Sequence, residues 1–205
     1  MIQFFHSAQT GAPVNAGTAG YGIALLDACL VTGFSAKSVS TITVADNVAT
    51  LTTAAAHGFA VDEAVLVSGA NEAAFNGTFR VLSVPSSTTL TFALVTALTA
   101  ASGTVTVKMA PLGWEKVYTG TNKAVYRSQD VTGTRLYLRA DDSAAQYLTV
   151  TMYESMSDID TGTGATGLGG MEELDHGGLR RRHCRAESAR RYRQCRWGRW
   201  AEYCG

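Results

Sequence analysis

The chain changes its hydrophobic rhythm twice. Between residues 18 and 32, Ile23, Leu26 and Leu30 recur at helical spacing. Thr18 stands where a cap is needed and Gly33 where a helix can stop, so the spacing predicts one amphipathic helix. Gly20 and Gly22 weaken its first turn, which makes that helix dependent on tertiary packing. From residue 38 to 109 the period falls to two. Ile42 and Val44 alternate with threonine, Asp46 and Asn47 supply a hairpin turn, and a second run covers residues 48–52. Val65 and Val67 precede a turn expected at Ser68 and Gly69, while Phe79 and Val81 follow Asn76 and Gly77. Leu90, Phe92 and Leu94, then Val105, Val107 and Met109, complete the set of short strands. Strands of this length, separated by turn residues, predict a small barrel or sandwich.

After Pro111 the strands become aromatic. Residues 113–118, 123–127, 135–139 and 147–152 carry Trp114, Tyr118, Tyr126, Tyr137 and Tyr147. The contrast with the Thr/Val/Ala-rich middle predicts two cores and an α+β, mostly β fold. One N-terminal helix packs on antiparallel strands, and a small β-barrel or sandwich is inserted between them. The expected organisation is a discontinuous domain of residues 1–37 and 110–160, an inserted barrel of 38–109, a Gly/Thr linker over 161–170 and an atypical Arg/Cys-rich tail over 171–205.

Composition agrees with this reading: 46% hydrophobic residues can close a core, and 21 Gly with only 17% charged residues suits short strands and tight turns. The first residues lack a basic leader, and no run of about 18 apolar residues could cross a bilayer, so synthesis in the cytoplasm as a soluble chain is expected. Cys29 is the only cysteine before residue 171 and reads as a small buried apolar residue rather than half of a disulfide.

Charge divides the chain sharply. Residues 1–170 hold 8 Lys/Arg against 12 Asp/Glu, whereas residues 171–205 hold 9 Arg against 5 Asp/Glu. That last stretch has no Val, Ile, Thr, Phe, Lys, Asn or Pro, yet carries three of the four Cys and two of the three Trp. Three readings stand side by side. As an arginine-rich arm, residues 180–199 would be the only stretch suited to nucleic acid, with Tyr192, Trp197, Trp200 and Tyr203 available to stack on bases. As a zinc site it would use His183, Cys184, Cys195 and Cys204, whose spacing lacks the usual paired ligands. As an out-of-frame terminus it would be the wrong reading of codons for residues 171–178 that, one base later, permit Trp-Lys-Asn-Ser-Thr-Thr-Ala-Asp, a sequence in the style of the preceding chain.

The search for chemistry assigns no catalytic, cofactor-binding or metal-binding residue. His6 beside Ser7 is half of a Ser/His pair without a nucleophile elbow, and His57 before Gly58 reads as a turn residue. Asp141, Asp142 and Ser143 read as a hairpin connection rather than as paired acids. Asp158, Asp160 and Gly162 resemble the opening of a calcium loop but lack the later ligands and closing glutamate, and Glu154 stands nearby without completing it. Gly162, Gly164, Gly167, Gly169 and Gly170 have no following Lys-Ser/Thr and read as linker rather than phosphate loop. The aromatics of the later strands, with Tyr153, read as core or interface residues before a sugar platform.

Several segments together resemble a family of tailed-bacteriophage and prophage virion proteins encoded among tail genes. They are Phe4-Phe5-His6-Ser7, Gly17-Thr18-Ala19-Gly20, Ile23 to Val31, Gly33-Phe34, Gly113-Trp114-Glu115-Lys116, Thr121 to Ser128, Leu138 to Asp142 and Tyr153 to Asp158. The middle, with Ala55-Ala56-His57-Gly58-Phe59 and Phe75 to Val81, is similar to a β-module that recurs in phage tail and fibre proteins. The resemblance covers residues 1–36 and 110–164; relatives continue into a Trp-Lys-Ser/Thr-rich segment, from which residues 171–205 depart. It implies a non-enzymatic structural protein of the virion tail (tube, tip or baseplate), joined to other virion proteins and to copies of itself. Two alternatives follow from other features: a receptor- or glycan-binding module displaying loops 68–77 and 86–89, and a DNA-contacting neck protein using the arginine tail.

Overall fold

A computed structural model describes residues 3–14, 16–144, 147–166, 172–175 and 180–182. The fold is mostly β, with one helical segment, antiparallel sheets and a closed six-stranded barrel. Barrel strands are β1 (Phe34–Ala45), β2 (Val48–Thr53), β3 (Ala64–Ala70), β4 (Gly77–Ser86), β5 (Thr89–Ala93) and β6 (Gly103–Met109). They close in the order β1-β2-β5-β4-β3-β6, with β6 returning to β1 and every neighbour antiparallel. Closure leaves no open edge. Alternation sends Ile42, Leu51, Val65, Val67, Val81, Leu90, Phe92 and Val107 inward, each at most 2% exposed.

Asp46 and Asn47 both take positive φ (50° and 61°) and make the two-residue β1–β2 turn that their side chains suit. Ser68 and Gly69 do not form the expected turn; both lie within β3. Gly69 marks a bulge instead, with φ 90°, and a Cβ there would collide with the carbonyl of Thr104 on the neighbouring strand. The chain turns just beyond, at residues 71–76, around a short 3-10 turn (Ala73–Phe75). There Asn76 bonds both backbone groups of Ala70, at 3.0 and 2.8 Å.

The predicted continuous helix is two shorter pieces. Helix α1 (Tyr21–Leu26) passes directly into a π-helical turn (Asp27–Thr32), which Gly33 ends at φ 71°. Thr18 does not cap it. The N-cap is Gly20 in a left-handed conformation, and the side chain that bonds the first turn comes from far along the chain: the Asp142 carboxylate accepts the Gly22 N–H at 2.8 Å. The wider π-turn serves two cores. Ala28 and Cys29 pack into the barrel cluster, while Ile23, Leu26, Leu30 and Val31 pack against Ala124, Tyr126, Leu138, Ala140 and Leu148 of the second sheet.

That sheet contains β7 (Trp114–Gly120), β8 (Lys123–Ser128), β9 (Tyr137–Ala144), β10 (Tyr147–Met156), β11 (Gly162–Thr166), β12 (Glu172–Asp175) and β13 (Arg180–Arg182). Its order is β13-β12-β10-β9-β8-β7, with β11 pairing the end of β10. Two expectations are corrected here. Asp141, Asp142 and Ser143 are strand residues of β9, in which Asp141 pairs with Lys123 of β8 and Thr149 of β10 and Ala144 with Tyr147 of β10; the β9–β10 connection falls on residues 145–146, outside the described set. The segment expected to be linker supplies β11, because its small residues fit closely beside Tyr153 and Met156 of β10; residues 167–170 lie outside the described set.

Asp142 is fully buried, and its link to Gly22 ties helix to sheet. Asp142→Ala is expected to cost about 1–2 kcal/mol, as loss of a helix cap does, with the helical signal in circular dichroism declining before the β signal on heating. Simultaneous loss of both signals at an unchanged midpoint would show that the cap does not hold the helix.

Candidate interaction surface

Residues 3–14 form an arm with no strand or helix of its own, laid along one end of the barrel beside the π-turn. Gln9 holds it. Its side chain is 7% exposed; Nε2 donates to the Phe4 carbonyl at 3.3 Å and to Glu63 Oε1 at 3.0 Å, and Oε1 accepts the His6 N–H at 3.0 Å. The other Glu63 oxygen accepts the Ala60 N–H at 2.8 Å, so one carboxylate fixes both the arm and the loop before β3. At its start the arm is tied by Gln3 Nε2 donating to the Ala110 carbonyl. The Phe5 ring lies 6.0 Å from that of Phe34, in the offset range where aromatic rings attract.

Between arm, helix and β1 lies a cavity of about 470 Å³ whose wall is mainly Phe5, Ala12, Pro13, Leu25, Cys29 and Phe34. Cys29 adds no charge, since burial pushes its thiol pKa up. A smaller hollow of about 260 Å³ on the other side of the arm is lined by Phe4, His6, Gln9 and residues 60–63. Phe4 (75% exposed), Val14 (76%) and Val61 (51%) stand around these hollows. Exposed apolar side chains grouped about an apolar concavity mark a contact surface better than the same residues scattered singly.

The residues singled out in the sequence disperse over the molecule. His6 and Ser7 share the cavity rim but are tied into the arm's own turn. His57 lies in the connection between β2 and β3 yet is buried, its Nδ1 accepting the Phe59 N–H at 2.9 Å and its ring stacked 5.4 Å from that of Phe59. Asp141 belongs to an ion cluster in which Lys123 and Arg139 both meet Asp160, at 2.9 and 2.5 Å. Hydrogen bonds from Lys123 and then Arg139 hold the Asp160 carboxyl below the usual carboxylate range. One oxygen of the Asp158 carboxylate accepts the backbone N–H groups of Asp160 and Thr161, at 2.8 and 2.7 Å, and closes a local turn.

The aromatics do not form one platform. Trp114 and Tyr126 face the helix, whereas Tyr118, Tyr137 and Tyr153 occupy the opposite sheet face, where Arg127 lies 4.7 Å above the Tyr137 ring. Of the stretch 68–77 only residues 71–76 connect strands, and they are held by Asn76 bonding Ala70 and by Glu72 bonding Ser102. His183, Cys184, Tyr192, Cys195, Trp197, Trp200, Tyr203 and Cys204 lie outside the described residues, as does the nucleic-acid reading of 180–199 apart from the backbone of 180–182. The arm's residues follow neither hydrophobic period, and the burial of Gln9 depends on Glu63, so periodicity does not reveal how the arm is held. No family model, no curated protein and no solved structure matches the chain.

Proposed function

We propose that this protein is a structural component of a tailed-phage virion, associated with the tail, which acts through contacts with copies of itself and with neighbouring virion proteins. The observation that carries the reading is the set of exposed apolar side chains around the arm: Val14 at the apolar cavity, and Phe4 and Val61 at the smaller hollow on the arm's other side. Such a surface is suited to burial against protein. The resemblance of residues 1–36 and 110–164 to tail-associated virion proteins supports the same reading. The π-turn packs into both the closed barrel and the helix-backed sheet, so each core supports the other's neighbouring surface. In a symmetric assembly, many modest contacts of this kind sum to a stable whole.

Mass spectrometry of purified particles from a phage encoding the chain tests this directly, with a labelled copy to locate it. The expected result is several copies per particle at the tail. Absence from particles, when the protein is present in the infected cell, would overturn it.

A further inference from the structure

We propose that Asn76 is a site of spontaneous covalent modification, deamidation through a cyclic imide with Gly77, and that the fold suppresses the reaction for as long as the turn over residues 71–76 is held. Of the five asparagines only Asn76 is followed by glycine. Glycine has no side chain to shield its backbone nitrogen, so that nitrogen can reach the carboxamide carbon of the residue before it. The fold calls for both members of this reactive pair. Asn76 bonds both backbone groups of Ala70, accepting its N–H at 3.0 Å and donating to its carbonyl at 2.8 Å, a pairing that needs the donor and the acceptor of a carboxamide. Gly77 has φ 155°, a conformation that residues with a side chain rarely adopt. Neither residue is therefore exchanged without loosening the connection between β3 and β4.

The reaction needs a geometry that the native turn withholds. The Gly77 nitrogen must attack Asn76 Cγ, giving up its proton as the new C–N bond forms and the Cγ–Nδ2 bond breaks, with ammonia leaving. Water then opens the imide at either carbonyl, leaving aspartate or, with the main chain rerouted through the side chain, isoaspartate. In the fold Asn76 has ψ 122°, which turns the Gly77 nitrogen away from the Asn76 side chain; ring closure requires ψ to swing to the negative half of its range. That swing pulls Gly77 from its place opposite Val67 and the Asn76 carboxamide off Ala70. Glu72 braces the same turn, its carboxylate accepting the Ser102 N–H at 2.8 Å and the Ser102 hydroxyl at 2.6 Å. Asn76 itself is exposed, so water reaches the imide once it forms. The product is not neutral for the barrel. Conversion replaces an amide donor by an oxygen facing the Ala70 carbonyl, and isoaspartate adds a carbon to the main chain at the start of β4, where closure of the six strands resists a change of register.

The test incubates the full chain, native and in urea, in one mildly alkaline buffer. Conversion at each asparagine is followed by peptide mass spectrometry, with electron-based fragmentation to distinguish isoaspartate from aspartate. In urea both products are expected at Asn76 ahead of every other asparagine. In the native chain the same conversion should be slower by about tenfold or more, the factor expected when two side-chain bonds of ordinary net strength must open first. Glu72→Ala should speed the native reaction several-fold and leave the rate in urea unchanged, because it loosens the turn and not the chemistry. A denatured chain that converts no faster at Asn76 than at Asn71 would overturn the site. A native rate equal to the rate in urea would overturn its control by the fold. If Glu72→Ala does not fold, as judged by circular dichroism, Ser102→Ala, which removes only the bonds of the hydroxyl, reads the same acceleration. A native rate moved by neither variant would overturn the turn as the gate.

Discussion

Phe92→Ala is expected to destabilise the barrel by about 3–5 kcal/mol, the cost of emptying a large aromatic site that cannot collapse. Phe92 is fully buried on β5, between β2 and β4, and its ring stacks on Phe79 with centroids 4.4 Å apart. Its backbone partners, Ala49 and Val81, are fully buried as well. In an open sheet an edge strand could slide inward to fill part of the void. Here six strands are joined in a ring, so closing over the void would shift the register of several pairs at once. Urea denaturation followed by tryptophan fluorescence and far-ultraviolet circular dichroism measures the loss. Leu82→Ala on adjacent β4, 47% exposed, supplies the contrast and should stay within about 0.5 kcal/mol of the parent. A Phe92→Ala cost no larger than that of Leu82→Ala would contradict a closed, tightly packed barrel.

The same barrel shows what was legible in the sequence. Period-two alternation from Ile42 to Met109 identified its strands because each has one buried and one exposed face, a purely local pattern. Asp46 and Asn47 were readable for the same reason: the positive φ their turn needs is a property of the residues themselves. Gly69 was not, because its glycine answers a carbonyl on another strand, and Ser-Gly in isolation is a turn signal. The helix was placed correctly but not its form. Its cap comes from Asp142, separated from Gly22 by 120 positions, and its π-turn answers two cores at once. Asp141 and Asp142 looked like a hairpin because acidic pairs favour turns, whereas in the fold one completes an ion cluster and the other caps a helix. The candidate surface was least legible. His6 drew notice as a catalytic candidate, but the residue that organises the arm is Gln9, through its link to Glu63.

The join between helix and sheet depends on a small polar cluster, and Asp27→Ala is expected to weaken it by about 2–3 kcal/mol. The Asp27 carboxylate accepts from Lys116 Nζ at 2.7 Å and from the Tyr126 hydroxyl at 2.8 Å. Tyr126 is fully buried, and its hydroxyl also reaches the Ile23 carbonyl at 3.3 Å. Removing Asp27 leaves a partly shielded ammonium without its counter-ion and a buried hydroxyl with only a long bond. The cluster also sets an alkaline limit on stability. Burial, and after it the Asp27 carboxylate, push the Tyr126 phenol well above its ordinary range. The folded chain therefore keeps the phenol protonated, while the unfolded chain releases that proton above about pH 10. Because the folded-state pKa is the higher one, the contribution is complete below about pH 10 and is lost as pH rises beyond it. Tyr126→Phe should be less stable than the parent at neutral pH by about 1 kcal/mol, yet lose less stability on going alkaline. Equilibrium denaturation at stepped alkaline pH, with tyrosinate absorbance recorded on the native protein, separates the two effects. An alkaline slope unchanged in Tyr126→Phe would remove this phenol as the group that resists ionisation. A stability of Asp27→Ala equal to that of the parent would mean that hydrophobic packing alone holds the helix on the sheet.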